Sequence, residues 1–307
     1  MKTAIIMAAG KGTRMKSKQA KVLHPILNVP MVQLVVDALQ AAGAERIVTV
    51  VGFQHEEVEK ILKGQCEFAL QKEQLGTGHA VKQATQLKNI DGITIVASGD
   101  CPCVQSASYK SLYEMEDDCD MAILTTILQN PAAYGRVIRD ANGMVEKIVE
   151  AKDANEEEKK VQEVNSGIYA FRTKKLFEAL ALLKNNNAQK EFYLTDVLAI
   201  FRQKGYKIKA QIMHDKHEVE GLNSLVEVAS ASKYLQRRIN KCWLEKGVQI
   251  IDPDNTYIGP YVVLEPDVLI YPNVFLYGHT IIHTGTVIYP GVYLEDKEIA
   301  QNSILRV

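Results

Sequence analysis

Up to about Gly221, short apolar runs alternate with stretches whose apolar residues recur at helical spacing. Ala4–Met7, Ile47–Val51 and Ile93–Ala97 are near-continuous in apolar and β-branched residues, which predicts strands buried on both faces. Met31–Ala42 and Glu56–Leu62 between them carry the helical period. Such alternation predicts an α/β domain built on a doubly wound, mostly parallel sheet. Ligands of such sheets sit at the carboxyl ends of strands. Gly12 follows the first strand and Ser98-Gly99-Asp100 follows the Ile93–Ala97 run, so both segments belong on one rim.

The texture then changes twice. Leu225–Lys246 contains no Gly or Pro and ends before Gly247, which predicts one long helix, with Asn223 or Ser224 as its N-cap. Leu235, Ile239, Trp243 and Leu244 are the candidates to line one of its faces. Beyond it, Ile258, Leu264, Ile270, Leu276 and Ile282 recur every six residues. Val263, Leu269, Phe275 and Ile281 precede that series by one, and Pro260, Pro266 and Pro272 follow it by two. A strict hexad predicts a parallel β-helix in which each face of a triangular coil takes one hexapeptide. The expected division is 1–224 for the sheet domain, 225–247 for a connecting helix and 248–307 for a short β-helix.

Composition narrows the function classes. The 307 residues are 47% apolar and 24% charged, with a net charge of −1. Without a basic excess, a nucleic-acid partner is not expected. No apolar run approaches the ~20 residues of a membrane span, so no membrane partner is expected either. Five cysteines without a C-x-x-C pair read as reduced thiols of a cytoplasmic protein, those of Cys101-Pro102-Cys103 as small buried hydrophobes.

The chemistry starts at Ala8-Ala9-Gly10-Lys11-Gly12-Thr13-Arg14-Met15. Gly10 and Gly12 let the backbone turn its N–H groups toward an anion, and Arg14 and Lys21 supply charge beside it. Neither the G-x-G-x-x-G nor the G-x-x-x-x-G-K-[ST] phosphate pattern is complete here. The whole string, followed by Lys21-Val22-Leu23-His24-Pro25, resembles the signature of sugar-nucleotide pyrophosphorylases. Gln71-Lys72-Glu73-Gln74-Leu75-Gly76-Thr77-Gly78-His79-Ala80 and Asn185–Asp196 extend the likeness. Over roughly residues 1–246, and more loosely through the hexads, the chain resembles the uridylyltransferase half of the bifunctional GlmU family. It departs in having Ala20 where that family usually has proline and Cys103 where it commonly has leucine.

That resemblance implies a Rossmann-like nucleotidyltransferase domain, a left-handed hand for the β-helix, and a set of roles. Ala8, Ala9, Gly10 and Gly12 would line the UTP phosphates, with Arg14 on the triphosphate and Lys21 near the α-phosphate. Gln71 and Gly76 would contact uracil, and Thr77 would lie near the sugar. Asp100 and Asn223 would hold Mg²⁺, one carboxylate and one amide oxygen being a suitable hard-cation pair. Gly135, Glu150, Asn165, Tyr193 and Thr195 would form the pocket for N-acetylglucosamine 1-phosphate.

The implied reaction makes UDP-N-acetylglucosamine, a peptidoglycan precursor, and pyrophosphate by in-line displacement at the α-phosphorus, with no covalent intermediate. β-Helix proteins of this type are commonly trimers, which makes a homotrimer the implied assembly. Bifunctional family members continue into a longer β-helix that acetylates glucosamine 1-phosphate; with about three coils here, acetyltransferase activity is not expected. His279 and His283 read as coil residues. Two alternatives stay open: a related enzyme for another sugar, and a non-catalytic scaffold or regulatory subunit.

Overall fold

Lys2–Ala8 (β1), Arg46–Val51 (β2), Glu67–Leu70 (β3) and Ile93–Ser98 (β4) form a parallel array. Their apolar content follows from burial on two faces. Ala4 and Ile6 join one apolar cluster with Val32, Val35 and Leu39 of the helix Met31–Ala41 (α1). Ile5 joins the other, with Ala80, Leu176 and Val197. A computed structural model describes residues 1–115 and 119–307. It divides into two compact units: Met1–Leu23 with Met31–Asn223, and His24–Pro30 with Ser224–Val307.

The first unit continues through Met121–Ile127 (β5), Arg136–Arg139 (β6), Val145–Val149 (β7), Glu163–Arg172 (β8) and Ile208–Ile212 (β9). The main path runs β9-β5-β8-β4-β1-β2-β3, with β6 and β7 as a side ribbon on β8. All neighbours on this path are parallel except β8, which is antiparallel to both β4 and β5. His55–Ile61 (α2), Thr77–Lys82 (α3), Ser106–Tyr113 (α4), Thr173–Leu180 (α5) and Asp196–Gln203 (α6) complete the layers. β2 and β3 lie on one side of β1 and β4 on the other, so the strand order reverses between β1 and β4. A crevice opens at such a reversal outside the strand ends.

The second unit begins with a small hairpin, Pro25–Ile26 against Val29–Pro30, which packs on the helix Leu225–Glu245 (α7). Ser224 caps α7: its hydroxyl accepts from the Glu227 N–H and the Glu227 carboxylate accepts in return. Leu235 is buried, and Ile239 and Trp243 pack on the coil core. Leu244 is 41% exposed, contrary to expectation; it follows Trp243 directly, a rotation of ~100° around the helix. Gln236 and Asn240 are buried instead, donating to the carbonyls of Pro253 and Thr256.

The hexads do form three parallel sheets. Thr256 pairs with Val274, Val263 with Ile281 and Leu269 with Val287, each partner 18 residues on. Ile258, Leu264, Ile270, Leu276, Ile282 and Ile288 fill the interior. Outside, Tyr257 stacks on Phe275 and Tyr271 on Tyr289 at 5.0 and 4.9 Å between ring centres. Among the described residues, no helix is long and apolar enough to cross a membrane.

Candidate active site

The crevice at the end of β1 and β4 has two lobes sharing Met7, Thr77, Ser98 and Asp100. The first lobe is lined by Ala8, Ala9 and Gly10 after β1, by Lys21, and by Gln71 and Gly76 after β3. Gly12 adopts φ +65°, and a β-carbon there would lie 2.5 Å from the Lys21 Cβ, so only glycine lets the lysine stem pass. Gly76, at φ +109°, leaves no room for a β-carbon either: the Phe192 carbonyl oxygen would be 2.6 Å away. The two strings of the sequence meet here. Phe192 N–H donates to Leu75 O at 2.8 Å, and Leu194 N–H to Thr77 Oγ1 at 3.0 Å.

The charged groups converge between the lobes. Lys21 is ion-paired with Asp100, the two side chains being only 12% and 16% exposed. The same ammonium donates to Asn223 Oδ1 at 2.8 Å, and Arg14 donates to that oxygen at 2.7 Å. With Ser224 capping α7, the Asn223 oxygen is turned to the cations instead. Ser98 Oγ donates to Asp100 Oδ1 at 2.6 Å and fixes the carboxylate. The 216–222 loop is anchored by buried Glu218, which accepts from Gln105 and Ser108. Its Leu222 N–H then donates to the Asp100 carbonyl at 3.0 Å. Cys101 beside this cluster is buried, and burial, then the Asp100 charge, push its thiol pKa well above the ordinary value. It is a neutral thiol, not an activated nucleophile.

The second lobe is lined by Gly135, Glu150, Asn165, Thr195 and Gly221. A register break in β8 between Asn165 and Tyr169, with Gly167 at φ +76°, bends the strand around the lobe. Asn165 Nδ2 donates to Tyr169 Oη at 2.6 Å. Thr195 Oγ1 donates to Glu150 Oε1 at 3.2 Å. Burial raises the Glu150 pKa; that hydrogen bond lowers it, and nearby Asp153 and Asp196 raise it further.

Ala8, Ala9, Gly10, Lys21, Gln71, Gly76, Thr77, Asp100, Gly135, Glu150, Asn165 and Thr195 all border the two lobes. Asn223 joins them through Lys21, Arg14 through Asn223, and Gly12 through the lysine stem. Tyr193 is buried with its hydroxyl accepting from Gln189 at 2.8 Å and does not line either lobe. Ser98 and His79, which stand in the quoted strings without a role, and Glu218, which is not among the candidates, contact site residues or anchor their loop. Ser98 had a signal, standing two residues before Asp100 on the same rim.

A family model described as nucleotidyl transferase matches residues 3–243. The chain belongs to the nucleotidyl transferase family. It is 48% identical over 306 residues to the "Bifunctional protein GlmU" of Oceanobacillus iheyensis, covering 99% of this chain and 67% of that protein. The proteins of the same description from a Geobacillus species and from Listeria monocytogenes are 48% and 44% identical. Those matches cover 84% and 86% of this chain, and 57% and 60% of the relatives. The chain thus spans roughly three fifths to two thirds of the length of these relatives. The fold is similar to a crystal structure of UDP-glucose pyrophosphorylase complexed with UDP-glucose, at TM-score 0.63 and 21% identity. That match covers 78% of this chain and 99% of the other.

Proposed function

We propose that this nucleotidyl transferase joins UTP to N-acetylglucosamine 1-phosphate, giving UDP-N-acetylglucosamine and pyrophosphate. The observation that carries the reading is the convergence of Arg14, Lys21, Asp100 and Asn223 where the two lobes meet. One lobe would hold the nucleotide and the other the sugar phosphate, so the reacting phosphates come together at this junction. The full-length relatives are named as bifunctional GlmU proteins, and this supports the choice of substrates.

The attacking group is already an anion, so no general base is required. What the site must supply is alignment and positive charge. Lys21 and Arg14 would leave Asn223 and Asp100 for phosphate oxygens, offsetting the repulsion between two polyanions. The loop at Gly10 and Gly12 would turn its N–H groups toward the triphosphate. Glu150 and Asn165 would accept and donate hydrogen bonds at the sugar hydroxyls and acetamido group. Thr77 borders both lobes and would orient the ribose.

The residues fit a divalent cation. Asp100 and Asn223 present one carboxylate and one amide oxygen to a single positive centre, now the Lys21 ammonium, and hard cations favour such oxygens. Asp100 and Asn223 would hold Mg²⁺, which neutralises charge on the triphosphate and on the leaving pyrophosphate. The same reading makes the chain a cytoplasmic enzyme, with a homotrimer through the coils as its assembly.

The test is pyrophosphate release from UTP with N-acetylglucosamine 1-phosphate, glucosamine 1-phosphate or glucose 1-phosphate. Release with the N-acetylated sugar, lost in Asp100→Ala, supports the proposal. Release only with another sugar 1-phosphate would keep the chemistry and change the substrate. Silence with all three in a folded protein overturns it.

A further inference from the structure

The oxygens that would hold a divalent cation already face a cation of the chain's own. Lys21 is ion-paired with Asp100 Oδ2 and donates to Asn223 Oδ1 at 2.8 Å. Arg14 donates to the same amide oxygen at 2.7 Å. The other carboxylate oxygen of Asp100 accepts from Ser98 Oγ at 2.6 Å. The NH₂ group of Asn223 donates to Gly221 O at 2.9 Å, which holds the amide with its oxygen toward the two cations. Both proposed metal ligands therefore converge on the Lys21 ammonium.

The Lys21 and Asp100 side chains are only 12% and 16% exposed, so water and salt screen them little. The lysine stem is seated by Gly12, where a β-carbon would lie 2.5 Å from Lys21 Cβ. Arg14, Lys21 and Asp100 together carry one net positive charge. A divalent cation brought to that set alone meets two like charges and a single carboxylate, which is repulsive where screening is weak. A triphosphate reverses the balance. Its oxygens accept charge-assisted hydrogen bonds from ammonium and guanidinium groups. Once Lys21 moves to them, Asp100 and Asn223 present their oxygens to the metal.

We propose that Lys21 keeps the divalent-cation site shut in the free protein, and that the nucleotide opens it by drawing the ammonium on to phosphate oxygens. No covalent bond changes in this exchange: one cation leaves two oxygens and another takes them. Metal uptake is thereby tied to nucleotide uptake, and the site does not load with metal in advance. The same side chain thus has two stations, Asp100 with Asn223 before the nucleotide binds and the phosphates afterwards. The inference rests on the reading of Asp100 and Asn223 as metal ligands beside a triphosphate.

The experiment follows the backbone amide NMR signals of Gly99, Asp100 and Asn223 as Mn²⁺ is added, because a bound paramagnetic ion broadens its neighbours. Lys21→Met keeps the stem over Gly12 and removes the charge; Lys21→Ala reads the same quantity if the methionine variant does not fold. Without nucleotide, Lys21→Met reaches a given broadening at a Mn²⁺ concentration about tenfold lower than the wild type requires. Lys21→Arg retains the charge and the wild-type response. UTP added with Mn²⁺ broadens the wild-type signals, and Asp100→Ala combined with Lys21→Met abolishes the gain. Equal response of the wild type and Lys21→Met to Mn²⁺ alone overturns the inference and leaves the proposed function standing. So does a gain that survives Asp100→Ala, or a wild type that binds UTP by calorimetry without broadening in the presence of Mn²⁺. A wild-type protein that neither binds nor turns over UTP overturns the proposed function, and this inference with it.

Discussion

The coil unit and the sheet unit differ in how far apart in sequence their essential partners lie. In the coils a buried residue meets its equivalent 18 positions on, as Ile258 meets Leu276 and Ile270 meets Ile288. Period and contact are the same information, so a single sequence displays the architecture. In the sheet unit Lys21 reaches Asp100 across 79 positions and Asn223 across 202, and Arg14 reaches Asn223 across 209. No local pattern encodes those pairings; the strand order brings them together. The coil repeat serves a uniform aliphatic interior, while the sheet ends on a rim of polar groups whose geometry is set by everything folded behind it.

The sharpest way to break this comparison is at the long-range cluster. Asp100→Asn preserves shape and removes the negative charge on which Lys21 rests. We expect kcat/KM for pyrophosphate formation to fall on the order of 10³-fold, as when a preorganised electrostatic contact at a reacting phosphate is lost. Thermal unfolding should move by only a few degrees. A loss under tenfold, measured by steady-state kinetics at saturating Mg²⁺, would remove Asp100 from the chemistry.

The reverse experiment strikes the coil interior. Leu276 is buried in the aliphatic stack. Leu276→Ala should cost about 2–5 kcal/mol of stability, since deleted methyl groups and the cavity both count. Because the coil core is separate from the two sheet cores, kcat at a temperature well below unfolding should stay within about twofold. Denaturant unfolding followed by tryptophan fluorescence suits this test, as Trp243 packs on that core. A large loss of kcat with unaltered stability would contradict the division of labour.

What was legible follows the same line. The strands β1, β2 and β4, the long helix and the hexads show in the sequence because each satisfies burial through its own local pattern. The antiparallel insertion of β8 between β4 and β5 does not show, because alternation reveals strands and not their direction. Asn223 could be read as a cap or as a metal ligand; Ser224 takes the cap through its reciprocal bonds with Glu227, a distinction that needs the backbone geometry. Gln236 and Asn240 look like surface positions, yet they are buried because the carbonyls of Pro253 and Thr256 require donors. Glu218 was invisible for a similar reason: Gln105 and Ser108, which donate to it, are partners that only the fold supplies.

Glu150 offers a smaller effect with two readouts of opposite sign. Burial raises its pKa, so the folded state favours the protonated form. An acid of this kind contributes most stability below its ordinary pKa and loses it as pH rises through the raised value. Glu150→Gln should therefore raise the melting temperature slightly at pH 7. As a carboxylate it would accept sugar hydroxyl hydrogen bonds, so the same variant should raise KM for the sugar phosphate about tenfold. In the wild type that KM should begin to rise on acidification at a higher pH than an ordinary glutamate gives. A variant that binds sugar phosphate normally would take Glu150 out of the second lobe's chemistry.

The smallest effect lies in the coils, where one polar cluster interrupts the repeat. His283 is held between Glu298 at 3.0 Å and Glu265 at 2.9 Å, each on a neighbouring coil. Hydrogen bonds to Glu298 and Glu265 raise the imidazole pKa above its ordinary 6.5. The sign follows: the contribution is complete below the ordinary value and is lost as pH rises through the raised one. The cluster is open to water, so screening reduces its worth, and added salt should weaken it further. An NMR titration should show the His283 resonances moving at a higher pH than those of an unstructured histidine, and Glu265→Gln should return the midpoint part of the way. A midpoint at or below 6.5 would mean that the two carboxylates do not hold the ring in solution. Even this cluster obeys the coil's rule, since Glu265 and His283 stand 18 positions apart.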